Sequence, residues 1–304
     1  MPDSADASNA PPIAVIGAGA VGTSLAQGLV ASGHRVEAVL SRTAASAQAL
    51  ADRVGAPVAE SSWDALPPAV RLVLICVPDD AIADVAEALA ARDHPWGDTI
   101  VAHTSGAKTT DVLSPLREQG AATLSFHPLQ TFAEDASPGA FEDIVVGLEG
   151  DDRALAAGEV LARALGARPL RLTPEDKARY HCAAALASNG LVALLAVVEE
   201  VFSASDRDPE TPGSALDLVD PLVNQTLKNL QQGVPEGALT GPVARGDEET
   251  VQAHLDALAA ETPHLVPLYA ALSTEMVRVA VRGGHLTAEQ AEGLLRRVEE
   301  AASE

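Results

Sequence analysis

An α/β domain followed by an all-α domain, the first built on a doubly wound parallel sheet, is the fold class this sequence predicts. Three observations carry the prediction. Short apolar runs alternate with segments of helical period over 13–172, a glycine-rich turn joins the first run to the first helical segment, and no strand signal follows Leu172.

The run 13–16 (Ile13, Ala14, Val15, Ile16) is unbroken, as a parallel strand covered on both faces should be. Residues 23–32 carry Leu25, Leu29 and Val30 at helical spacing and stop before Gly33, a natural C′ glycine. Further strands read at 35–40, 71–77 (ended by Pro78), 99–102, 122–125, 144–147 and 169–172, with a helix over 151–165. Thr173-Pro174-Glu175-Asp176 then opens a helix, with Thr as N-cap, Pro at N1 and an acid at N3. That helix runs to about Ser203, roughly 45 Å at 1.5 Å per residue. A Pro/Asp/Ser-rich loop at 204–213 closes it, and helices follow at 214–232, 247–261, 263–282 and 287–302. The last opens with the capping box Thr287–Gln290.

Composition narrows the function classes. At roughly 100–200 residues per domain, 304 residues suggest two domains. Two cysteines exclude a disulfide scaffold, and 47% apolar residues exclude disorder. A net charge of −23 argues against nucleic acid and anionic membranes as partners. The apolar stretch 183–198, interrupted at Ser188-Asn189, falls short of the ~20 residues of a membrane span. Residues 1–10 have neither a basic nor an apolar region, so a frayed tail and a cytoplasmic address are expected. Only three of the 20 basic residues are lysines. That composition suits a salt-rich cytoplasm or a GC-rich genome equally, and melting temperature against salt separates the two.

Chemistry first shows in Gly17-Ala18-Gly19-Ala20-Val21-Gly22. A pyrophosphate must lie against bare amides at a helix N-terminus, so the first glycine makes the turn, the second admits the ligand and the third lets helix pack on strand. Its place after a buried strand at the head of a βαβ unit makes this a dinucleotide site, and no Gly-Lys-Ser/Thr ends the turn as in a P-loop. Where NAD enzymes place a carboxylate for the ribose, the chain has Ser41, Arg42 and Thr43. A cation between two hydroxyls suits a 2′-phosphate, which favours NADP(H). Val77 and Pro78, ending the next strand, complete the expected cofactor residues.

Ligands in such sheets lie beyond the carboxyl ends of the strands. Asp79 and Asp80 there read as N-caps for the following helix. Ser105 and Gly106 offer a hydroxyl and an approachable backbone to an oxyanion or carboxylate, and His127 either lines the cleft or satisfies a buried carbonyl. On the long helix Lys177, His181 and Ser188 fall within about 40° of one another, with Asn189 beside them. Hydride reduction of a carbonyl develops an alkoxide that a cation or acid must meet, so Lys177 is the first catalytic candidate and His181 the second. Taken by itself, Lys177 reads first as a solvated first-turn residue paired with Glu175 and Asp176. Cys76 and Cys182 read as inert buried thiols, and no metal-ligand spacing exists.

The pieces IAVIGAGAVGTSLA, LICVPDDAI, HTSGA, SFHPLQTF, KARYHCAAALASN and LTGPVARGD, in order over about 12–255, resemble Rossmann-like proteins with a C-terminal helical domain of unknown function. That family is similar to ketopantoate reductases, pyrroline-5-carboxylate reductases and β-hydroxyacid dehydrogenases. In ketopantoate reductases a helix-borne Lys is the general acid, with Asn four residues later. Lys177 matches the first position and His181 departs from the second. The resemblance also implies a cleft role for Thr240 or Arg245 as a carboxylate grip, although Arg245-Gly246-Asp247 reads by itself as a turn and N-cap. It further implies a homodimer through the helical domain.

The expected organisation is thus a tail over 1–10, an NADP-binding Rossmann domain over 11–172 and a helical substrate and dimerisation domain over 173–304. The expected activity is NADP(H)-dependent reduction of a small keto acid, ketopantoate being the best single guess. A cyclic-imine reductase is the rival enzyme, and an NADP(H)-sensing binding protein the rival outside catalysis.

Overall fold

The computed structural model describes residues 11–132, 138–203 and 213–303; the expected tail at 1–10 and most of the loop at 204–213 lie outside them. Eight strands form one sheet in the order β3-β2-β1-β4-β5-β6-β7-β8. They are β1 (Ile13–Ile16), β2 (Val36–Leu40), β3 (Val58–Glu60), β4 (Leu72–Ile75), β5 (Ile100–His103), β6 (Ala122–Pro128), β7 (Val145–Gly150) and β8 (Arg168–Arg171). Between them stand α1 (Ala20–Ala31), α2 (Ala44–Val54), α3 (Ile82–Ala90), α4 (Ser114–Glu118) and α5 (Asp152–Ala164).

Side chains alternate across the sheet, and the two faces collect separate cores. Ile13 and Val15 join Leu25, Leu29, Leu124 and Phe126 on one face. Ala14 and Ile16 join Ile75, Val101, Ile82 and Leu89 on the other. Helices therefore cover both faces, as expected of a doubly wound domain.

One detail corrects the expectation of a wholly parallel sheet: β7 runs antiparallel to β6, pairing Ser125 with Glu149 and His127 with Gly147. A parallel neighbour needs a crossover, usually helical. Among the described residues the β6–β7 connection holds only a 3-10 turn, Pro138–Phe141, so the chain returns alongside β6. Strand β3 was not anticipated, being three residues long and without a buried side chain.

Residues 174–203 form a continuous helical segment of 30 residues. It comprises a 3-10 turn (Pro174–Asp176), α6 (Lys177–Ala185), a π turn (Leu186–Gly190) and α7 (Leu191–Ser203). By length and composition this segment is long and apolar enough to cross a membrane, which corrects the expectation of a stretch too short to span. Lys177 is buried at the head of α6.

The chain divides into compact units 1–188 and 189–304. The expected boundary at 172/173 marks the end of strand signal, whereas compact packing continues through α6. The second unit holds α8 (Ala215–Gln231), α9 (Pro235–Ala238), α10 (Pro242–Arg245), α11 (Glu248–Glu261), α12 (Val266–Arg282) and α13 (Ala288–Ala301). Val251, Leu255, Val266, Val277, Leu294 and Val298 form its core. Thr287 and Gln290 close the capping box, and Asp247 caps α11 by accepting from the Thr250 amide.

Candidate active site

The glycine turn is shaped by close approach. A Cβ on Gly17 (φ +104°) would sit 2.3 Å from the Cys76 carbonyl oxygen, and one on Gly22 2.0 Å from the Gly17 carbonyl oxygen. Neither position admits a side chain without moving backbone. Gly19 differs: it is the N-cap of α1, and a Cβ there would meet nothing within 4 Å. The first turn of α1 carries no acid and no side-chain cap, so its amides stay open to an anion.

Gly17 and Gly19 line a cleft of about 790 Å³ with Ala18, Ser41, Arg42, Thr43, Val77 and Pro78, whereas Gly22, on α1, does not line it. Ala20 and Val21 stand in the first turn of α1 and do not line it. Arg42 is exposed and forms no ion pair among the described residues. The Thr43 hydroxyl is engaged in capping α2, accepting from the Ser46 amide at 3.2 Å. Trp63, also on the wall, was missed; it follows the short β3, and nothing local marks it.

The expected substrate residues of the first unit converge at the ends of β5 and β6. Lys177 is 1% exposed, which removes the reading of a solvated first-turn lysine. Asp176 takes its bonds from Thr173 and Arg179 instead. The Lys177 Nζ donates to the Ser125 hydroxyl at 2.5 Å and to the Ser105 carbonyl at 3.0 Å. Burial pulls its pKa down to about 8, against the opposing attraction of Glu149 and Asp79.

Asp79 caps no helix; α3 begins at Ile82 without a side-chain cap. Its carboxylate accepts from the Ser105 hydroxyl at 2.7 Å. The Ser105 oxygen in turn accepts from the amides of Ala107 and Lys108. The hydroxyl expected to face a ligand is therefore spent inside the loop, which it shapes. The Ser105 amide donates to His103 Nδ1, so Nε2 carries the proton and donates to the Thr109 carbonyl at 3.3 Å.

Gly106 lies between two imidazoles: its Cβ would fall 2.6 Å from His181 Nδ1 and 2.7 Å from His127 Nε2. Its own amide donates to nothing among the described residues. His127 Nδ1 hydrogen-bonds with the Tyr180 hydroxyl at 3.0 Å, and that hydroxyl occupies the space a Cβ on Gly147 would need. Burial first, then the Lys177 charge, lowers the pKa values of His103 and His127 to about 4, so both rings are neutral at pH 7. Burial pushes the Tyr180 phenol up to about 12. His181 is exposed.

The stripe read from 100° per residue holds for Lys177 and His181 within α6. From Leu186 to Gly190 the chain forms a π turn, so the 100° step that placed Ser188 on the stripe does not apply there. Asn189 and Arg245 belong to the second unit, where both are exposed. Cys76 is a buried thiol raised to about 12 by burial, whereas Cys182 is exposed, contrary to expectation. Among the described residues no group of three or more metal-ligating side chains occurs.

Two family models match the chain consecutively: a Rossmann-like domain over 2–128 and a domain of unknown function, DUF2520, over 144–276. The chain thus carries a Rossmann-like domain followed by a DUF2520 domain. The DUF2520 segment takes in Glu149, Lys177, Tyr180 and His181, and the Rossmann-like segment the glycine turn, Ser105, Gly106 and His127. A Bacteroides fragilis protein provisionally named an NADP oxidoreductase is 26% identical, over 88% of this chain and 97% of that one, with a TM-score of 0.70. A Thermotoga maritima protein is also 26% identical, over 89% and 98%, at 0.71. An imine reductase from Myxococcus stipitatus in complex with NADP+ shares the fold at 17% identity, over 90% and 96%, at 0.61. Comparison with curated proteins finds no match.

Proposed function

We propose that this Rossmann-like DUF2520 protein is a cytoplasmic NADP(H)-dependent oxidoreductase that reduces the carbonyl of a small keto acid, with ketopantoate the first substrate to test. The observation that carries the reading is the pairing, in one unit, of a nucleotide-shaped cleft with the Gly106–His127–His181 cluster at the strand ends. The 26%-identical Bacteroides fragilis protein, by its name an NADP oxidoreductase, supports the cofactor.

The residues suit NADP(H): the turn is bare where a diphosphate must approach, and Arg42 is free to meet a 2′-phosphate. When bound, the reduced nicotinamide supplies the hydride. The Gly106 amide donates to the oxygen on which negative charge develops, and His181, the exposed imidazole beside it, delivers the proton that completes the alcohol. Lys177 holds a positive charge behind the loop, its ammonium committed to Ser125 and the Ser105 carbonyl. Tyr180 fixes the neutral ring of His127.

Oxidation of NADPH against a panel of 2-keto acids, ketopantoate included, tests the proposal. Turnover that collapses in both His181→Ala and Lys177→Ala supports it. The fold shared with imine reductases supports a second reading, reduction of a cyclic imine. A protonated imine brings its own proton, so under that reading His181→Ala keeps its turnover. Tight NADPH binding with no turnover on either substrate class points to a sensor. A homodimer through the helical domain is part of the proposal. Helix α7 contributes no buried residue, and its Val197 and Val201 border a groove of about 500 Å³ within the second unit. Sedimentation as a monomer would remove that part.

A further inference from the structure

One row of residues crosses six strands on one face of the sheet. Leu40 pairs with Ile16, Ile16 with Ile75, Ile75 with His103, His103 with Ser125, and Ser125 with Glu149. Directly paired residues project from the same face. The first three members are apolar core. The last three are polar and almost wholly buried, at 0%, 0% and 3% exposure.

The change coincides with Lys177, whose Nζ donates to the middle of the polar half, Ser125 Oγ. Beside Ser125 lies Glu149. One of its carboxylate oxygens accepts from the Thr110 amide at 2.8 Å and the other from the Thr110 hydroxyl at 2.7 Å. No basic side chain forms an ion pair with it among the described residues. A carboxylate this buried, bonded only by a neutral residue, stays ionised only with a positive charge nearby.

We infer that Glu149 is the buried counter-charge of Lys177, acting across Ser125. It is a positioning residue that keeps the lysine charged and, through Thr110, pins the far end of the loop whose near end Lys177 holds at Ser105. The inference rests on the reading above only in placing Lys177 at the working site. Other ionisable groups interact with the lysine too: Asp79 after β4, His103 on β5 and His127 on β6, while Tyr180 and His181 of its own helix contact His127. His103 and His127 titrate at about 4 and Tyr180 at about 12, so all three are silent between pH 6 and 10.

The test needs neither cofactor nor substrate, so its failure is distinct from failure of the reductase reading. Glu149→Gln keeps the shape and can still bond Thr110, but removes the charge. Lys177 titrates near 8 when folded and near 10.5 as a free side chain. Between those values the unfolded chain alone binds the proton, and stability rises with pH. Without Glu149 the folded value drops and the rise begins at lower pH. The melting temperature of Glu149→Gln should therefore fall below that of the parent at pH 6–7, and the gap should close or reverse above pH 8–9. The series is repeated on His181→Asn to remove the remaining imidazole. On a Lys177→Met background, Glu149→Gln should raise the melting temperature, because it then removes an unpaired buried charge. A gap of constant size across pH overturns the inference and leaves Glu149 as a support for Thr110. So does a further loss in the double variant. If Lys177→Met alone does not fold, the pH series decides.

Discussion

Gly19→Ala separates nucleotide recognition from folding. Gly19 has φ −78°, open to any L-residue, and an added methyl meets no atom of the protein within 4 Å. The melting temperature without ligand should stay near the parent's, since an unstrained surface substitution shifts stability by about 0.5 kcal/mol or less. The methyl does fill the space a diphosphate must enter to reach the α1 amides. Losing one charge-assisted hydrogen bond there costs about 1.5–3 kcal/mol, a roughly ten- to 150-fold rise in Kd. At an NADPH concentration 100 times the parent's Kd, ligand stabilisation is about 2.7 kcal/mol, and a thirtyfold weaker site retains only about 0.9. Calorimetric titration with NADPH, alongside melting with and without it, measures both halves. Gly22→Ala is the contrast, because its Cβ would lie 2.0 Å from a backbone oxygen and must damage folding as well. A Gly19→Ala protein that binds NADPH within twofold of the parent would refute the placement of the diphosphate.

Arg42→Ala should weaken NADPH binding about tenfold or more while leaving NADH within twofold; equal losses would mean the guanidinium touches no 2′-phosphate. Gly106→Ala must push aside the imidazoles 2.6 and 2.7 Å from its Cβ, and turnover should fall on the order of 100-fold with NADPH affinity retained. Trp63 borders the cofactor cleft, whereas Trp96 is buried elsewhere with its Nε1 donating to the Arg92 carbonyl. NADPH should therefore quench fluorescence in the parent but not in Trp63→Phe, and unchanged quenching in that variant would place the nucleotide away from Trp63.

The sequence by itself determined what rests on neighbours within a few positions. The glycine turn after an apolar strand, the capping box at Thr287–Gln290, the Asp247 cap and the alternation of strand with helix all stand where those signals put them. Gly106, His127, Lys177 and His181 were legible as residue types fit for the chemistry, and the fold gathers them in one unit. What each does was decided by partners far along the chain. The hydroxyl of Ser105 turns inward because Asp79 lies 26 positions back, and Lys177 is buried because Ser125 lies 52 positions away. Neither distance leaves a local trace, and a lysine beside Glu175 and Asp176 reads naturally as solvated. Glu149 is the extreme case. Which strand β7 pairs with, in which direction and at what register, sets whether that carboxylate meets solvent or a buried cation. A shift of one residue would send it to the opposite face. Local chemistry is written in the order of residues, but the pairing of strands decides which charges share a dry interior.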